Sequence, residues 1–158
     1  MSDDVKMCGH GLYLEELKIG MRFRKFNRTI TEADLVNFIN VTGFTEILFT
    51  DTEFLKHGSA IKGRVVPASL VYSFSEGLCT PVMQGTGLAF LEAQINVKAP
   101  TFVNDTIHVE GKVTESRRTS KGDRGLVRTM NQVFNQRGEL VLTYDPLRMM
   151  MGKDYNPG

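Results

Sequence analysis

The chain is 158 residues long, balances 19 Lys and Arg against 18 Asp and Glu, and is 41% hydrophobic and 23% charged. That length suits one domain able to bury a core without disulfides or metal, and the composition excludes a disordered chain. With a net charge of +1, no basic run and no apolar run long enough to cross a bilayer, neither nucleic acid nor membrane is an expected partner. Met1 to Lys6 is polar and acidic and lacks the apolar stretch of a signal peptide, so a cytoplasmic location is expected. Cys8 and Cys79 have no CxxC or Cys–His spacing, and Cys79 reads as a buried, inert thiol. His10, His57 and His108 are scattered without ligand spacing, so no metal site is expected.

Residues 1–11 read as a disordered leader, 12–150 as one domain and 151–158 as a tail. Leu12 to Gly20 is a short opening segment closed by a turn, and Met21 to Ile30, rich in aromatic and basic residues, reads as a first strand. Thr31 and Asp34 have capping-box spacing. Leu35, Phe38 and Ile39 then recur at helical spacing, and Gly43 supplies a C-terminal stop. Phe44 to Thr50 has no period and reads as a loop. Asp51 caps a short helix, Thr52 to His57, ended by Gly58.

Pro67 stands where a first-turn proline belongs. Leu70, Val71, Phe74 and Leu78 form an apolar stripe after it, and Pro81 is expected to end this helix. In Leu88–Lys98, Ala89, Leu91, Ala93, Ile95 and Val97 alternate with mostly polar neighbours, which predicts a strand with one buried face. Ile107, Val109, Gly111 and Val113 alternate in the same way. Val127–Phe134 and Glu139–Tyr144 are joined through Asn135 and Gly138 as a hairpin. Arg117, Arg118, Lys121, Arg124 and Arg128 read as a solvated basic turn, and Met149, Met150 and Met151 as core filler or a dimer contact. The pattern predicts an α+β domain in which an antiparallel sheet wraps around one central helix, the hot-dog arrangement.

Three stretches carry a resemblance. TITEADLVNFINVTG (Thr29–Gly43), GRVVPASLVYSF (Gly63–Phe74) and INVKAPTFVNDTIHVEGKV (Ile95–Val113) are similar, in this order, to segments of the MaoC-like acyl-CoA hydratase/dehydratase family. The third keeps a basic residue, a proline and an acid as Lys98, Pro100 and Asp105. The resemblance spans roughly residues 12–145. It implies a single hot-dog domain, an acyl or enoyl thioester of coenzyme A as substrate, no separate cofactor, and a homodimer or higher oligomer. It also implies an Asp and a His that hold a water and backbone donors at the central helix aimed at an oxyanion.

This sequence departs from that pattern at the reacting positions. After Gly43 the family's Asp-x-Asn-Pro-x-His-x-Asp becomes Phe44-Thr45-Glu46-Ile47-Leu48-Phe49-Thr50-Asp51, so Phe44 replaces the Asp and Phe49 the His. Phenylalanine cannot move a proton. Glu46 and Asp51 keep a five-residue spacing and read either as a relocated carboxylate pair or as a solvated loop acid and a helix cap. Phe44 and Phe49 read either as packing or as walls of an apolar acyl pocket. The Ala68 N–H matches the family's oxyanion donor, with Ser69 beside it and Val66 and Pro67 before it. Lys62, Arg64 and Lys98 read either as partners for coenzyme A phosphates or as solvated charge. His57 reads as a surface histidine or as a replacement imidazole. Three functions stay open: a hydratase with a substituted acid/base set, a catalytically silent acyl-CoA-binding module or partner subunit of an active hydratase, and a thioesterase on the same fold with Glu46 or Asp51 as base.

Overall fold

The structure, a computed structural model, describes residues 7–157; residues 1–6 of the expected leader lie outside the described residues. Eight strands and four helices follow in order: β1 (Arg22–Arg24), β2 (Arg28–Thr29), α1 (Glu32–Thr42), α2 (Ile47–Thr50), α3 (Thr52–His57), α4 (Ala68–Met83), β3 (Gly87–Glu92), β4 (Ile95–Val97), β5 (Thr106–Arg118), β6 (Arg124–Phe134), β7 (Leu140–Tyr144) and β8 (Leu147–Met151). Every strand pairing is antiparallel. The sheet reads as five rows: β1 and β2 on β5, then β6, then β7 and β8 in line, then β4 and β3 at the far edge.

The amphipathic helix α4 lies against this sheet and buries Leu70, Val71, Ser75 and Cys79. Leu70, Val71 and Cys79 join Ile107, Val109, Val133, Val141, Leu142 and Tyr144 in one continuous core. Each fully buried Leu or Val contributes about 1.5–3 kcal/mol relative to exposure. A second cluster, Leu14, Leu17, Val113, Val127 and Met150, closes the opposite end.

The caps expected at α1 are present. Thr31 Oγ1 accepts from the Asp34 N–H at 3.2 Å, and Asp34 Oδ2 accepts from the Thr31 N–H at 2.8 Å. Gly43 ends the helix at φ 71°, a left-handed conformation costly for residues with a Cβ.

Several elements differ from the sequence reading. Met21–Ile30 is two strands rather than one. Residues 25–27 face only 108 and 109 of β5, so the chain bulges and leaves Phe26 91% exposed. Helix α4 does not stop at Pro81 but runs to Met83. The bond that Pro81 forfeits is to the carbonyl of Gly77; both residues are exposed, so the interruption falls on the solvent side of the helix. Phe44–Thr50 is not all loop: residues 47–50 form one helical turn, fixed as the Asp51 N–H donates to the Ile47 carbonyl at 3.0 Å. The methionine run forms the strand β8, with Met150 buried. Leu88–Lys98 is split into β3 and β4 where Gln94 pairs with Asp145. Its expected buried face is uncovered within the chain, with Leu91, Ile95 and Val97 exposed at the sheet edge. The basic turn is charge-paired: Arg118 meets Glu15 and Asp154, Arg124 meets Asp123, and Arg128 meets Glu92 and Asp145.

Replacing Thr31 by Ala removes one arm of the α1 cap and is expected to cost about 1 kcal/mol. Urea unfolding, with an unchanged slope, measures it.

Candidate functional site

Val65, Val66 and Pro67 lead into α4 as a buried strap. The Val66 N–H donates to the Thr101 carbonyl at 2.9 Å, and Val65 bridges Phe102. Pro67 is the N-cap and no side chain caps the helix. The first-turn N–H groups therefore lack the side-chain partner that caps usually provide.

A pocket of about 380 Å3 opens at this helix end. Ala68 and Val71 of α4 form one wall, Leu48 and Phe49 of the 44–51 segment another, and Val141 and Leu142 of β7 the floor. Val141 and Leu142 are consecutive, yet both face inward, because the β6–β7 register shifts between Val133 and Phe134. The Lys98 and Ala99 N–H groups both reach the Val141 carbonyl, at 2.9 and 3.2 Å, and this holds the pocket's edge strap in place. Lys98 is the one ionisable residue among those lining the pocket.

Phe49 is 6% exposed and its ring centroid lies 5.5 Å from that of Phe44, which is half-exposed and does not line the pocket. Arg64 fixes this segment. Its Nη1 donates to the Phe49 carbonyl, its Nε donates to Glu32 Oε1 at 3.0 Å and Oε2 at 3.1 Å, and its Nη2 donates to Glu32 Oε1 at 2.7 Å. The guanidinium thus ties α1, the 44–51 segment and the strap before α4 together. Asp51 Oδ1 accepts from the Glu53 and Phe54 N–H groups at 2.9 and 3.0 Å, which makes it the cap of α3. Glu46 is exposed, and neither carboxylate lines the pocket. Ser69 is exposed beside the helix start, with its carbonyl accepting from Ser73 at 2.8 Å. Lys62 is exposed and reaches the Lys56 carbonyl at 3.4 Å, and His57 is exposed at the end of α3.

Of the residues singled out from the sequence, the structure brings Phe49, Val66, Ala68 and Lys98 together around the pocket. The sequence reading did not find Leu48, Ile61, Val71, Thr101, Val141 or Leu142 as wall residues. The apolar stripe of α4 marked Val71 as inward-facing, but nothing in the alternation of β7 announced its register shift.

The 99–105 strap that closes the pocket rests on Asp105, which is 4% exposed. It accepts from the Phe102 N–H at 2.9 Å, from Gln136 at 2.8 Å and from Arg137 at 3.1 Å. Burial pushes its carboxyl pKa up, but these donors outweigh burial and hold it below the ordinary carboxylate value.

A family model described as FAS1-like, dehydratase domain region, matches residues 18–144. The chain belongs to this family. Among solved structures it is similar to a monoamine oxidase regulatory protein from Archaeoglobus, with 29% identity, a TM-score of 0.82, and coverage of 91% of this chain and 97% of that one. It is also similar to a MaoC-like dehydratase from Rhodospirillum rubrum, at 22% identity and a TM-score of 0.81, covering 90% of this chain and 99% of that one. A Mycobacterium tuberculosis protein with a double hot-dog fold aligns at 19% identity and a TM-score of 0.81; this chain is covered over 97% of its length and spans 48% of the other. No curated protein matches the sequence. The family member described here is thus a MaoC-like hot-dog domain, as its three sequence stretches imply.

Two outcomes follow from the geometry. Asp105→Asn should lower stability by about 2 kcal/mol at neutral pH, through the lost charge-assisted bonds. A depressed carboxylate pKa stabilises the fold above the unfolded value and is lost as pH falls through the folded value. The variant's Tm should therefore fall less than that of the parent chain when pH drops below about 4. Arg64→Ala should loosen the 44–51 segment, seen as faster amide exchange at Leu48 and Phe49 with α4 unaffected.

Proposed function

We propose that the pocket at the start of α4 binds the acyl group of a coenzyme A thioester without hydrating it, so that this MaoC-like chain serves as an acyl-binding module or as the silent partner of an active hydratase. The observation that carries this reading is the pocket wall: Phe49 stands in it, and no Asp, Glu or His lines it among the described residues. Hydration needs a base to take a proton from water and an acid to protonate carbon, both within hydrogen-bond reach of the reacting atoms. An apolar wall instead suits a hydrocarbon acyl chain.

The thioester carbonyl fits at the uncapped helix start. There the Ala68 N–H offers a donor, and the helix dipole favours partial negative charge on oxygen. Lys98 at the rim is suited to a phosphate of coenzyme A, whereas Arg64 is already committed to Glu32 and Phe49. No cofactor besides coenzyme A is needed. No helix among the described residues is long and apolar enough to cross a membrane, and a cytoplasmic place accords with the buried thiol of Cys79.

The same reading includes a second copy of the chain. Leu91, Ile95 and Val97 are 47%, 44% and 58% exposed on the β3–β4 edge, and an uncovered apolar edge invites strand pairing. Val97 and Lys98 also line the pocket, so a copy paired there stands at its mouth.

Calorimetry with octanoyl-CoA is expected to show one site per chain, and Val71→Trp, which fills the pocket, should weaken binding at least tenfold. Equal binding by both proteins would place the ligand elsewhere, and no binding by the parent chain would end this reading. In light scattering the chain should have at least twice its 17.7 kDa mass, and Leu91→Asp should shift it toward the single chain.

A further inference from the structure

The face of α4 that presents Val71 to the acyl pocket continues through Ser75 and Cys79 to Val82 and Met83 at the helix's other end. A second cavity, of about 30 Å3, lies there between the helix, β6 and β8. Its lining includes the polar residues Cys79, Thr129, Asn131 and Arg148. Thr129 and Asn131 are two apart on β6 and so share one face of the strand. They are 7% and 1% exposed. Thr129 Oγ1 and Asn131 Oδ1 are buried and have no hydrogen-bond partner among the described residues.

The space for this amide is built in. Asn131 lies opposite Gly111 in the β5–β6 register. A Cβ on Gly111 would stand 2.7 Å from Asn131 Oδ1 and would run into the Phe23 ring, another wall of the cavity. The Glu76 carboxylate accepts from Arg148 Nη2 on the helix side, which leaves the remaining guanidinium N–H groups as donors. A buried acceptor without a donor is costly. A cavity of roughly 10–15 Å3 or more with two to four polar partners is enough to hold one water.

We propose that this cavity is a binding site for a single water molecule. The water donates to Asn131 Oδ1, shares a hydrogen bond with the Thr129 hydroxyl and has Arg148 as its third partner. It links the middle of β6 to Arg148 of β8, which Glu76 of α4 holds, so the central helix covers an apolar chamber at one end and a hydrated polar one at the other. The volume excludes any acyl chain or coenzyme fragment. The inference does not depend on what the first pocket binds.

Two measurements decide it. In a crystal structure of the full chain at better than about 2 Å, a water peak is expected within about 2.6–3.2 Å of both Thr129 Oγ1 and Asn131 Oδ1; an empty cavity overturns the proposal. Thr129→Val keeps the side-chain shape and removes the hydroxyl. With water in place the change removes a satisfied bond, and Tm should fall by about 2–4 °C. In a dry cavity it relieves an unpaired hydroxyl, and a rise in Tm contradicts the proposal.

Discussion

The burial of one face of α4 against an antiparallel sheet is the constraint on which the rest of this molecule depends. Leu70, Val71, Ser75 and Cys79 turn toward β5, β6 and β7, and the main core forms between them. The helix is not packed equally along its length. At its start Pro67 provides no side-chain cap, and the register shift at Val141 turns two consecutive strand residues inward. A chamber therefore opens beside free backbone donors. The fold supplies an apolar chamber at the helix start before any catalytic side chain is considered.

What the side chains add differs from what the family resemblance implies. Where a proton-transfer pair is expected after Gly43, this chain has Phe44 and Phe49, and the structure puts the Phe49 ring in the pocket wall. Two carboxylates of the neighbouring elements are committed elsewhere. Asp51 caps α3, and Glu32 holds Arg64, which in turn holds the Phe49 carbonyl. Arg64, read from the sequence as a phosphate partner, instead ties the 44–51 segment to α1. These commitments are all hydrogen bonds within the chain, and no Asp, Glu or His lines the chamber among the described residues.

Much of the fold was legible in the sequence because its signals are local. The Thr31–Asp34 box, the Gly43 stop, the Asp51 cap, the alternation in β5 and the hairpin turn at Asn135–Gly138 depend on neighbours a few residues apart. The misread features depend on partners far away in the chain. Pro81 is tolerated inside α4 because Gly77 and Pro81 both face solvent. The strand predicted over 88–98 breaks because Gln94 meets Asp145, and its apolar face stays open because it lies at the sheet edge. The site was half legible for the same reason. Family resemblance pointed to Phe49, Val66, Ala68 and Lys98, whereas Leu142 and Thr101 reach the pocket only through the register of β7 and the strap held by Asp105.

The claim that this MaoC-like pocket binds without reacting is tested most directly by following enoyl-thioester absorbance. The purified chain would be mixed with crotonyl-CoA and with longer enoyl-CoAs, at concentrations where binding is saturated. The account predicts that absorbance stays at the rate of the protein-free control for every chain length. A steady loss of absorbance that disappears in Glu46→Gln would contradict it and identify a hydratase working through a relocated carboxylate.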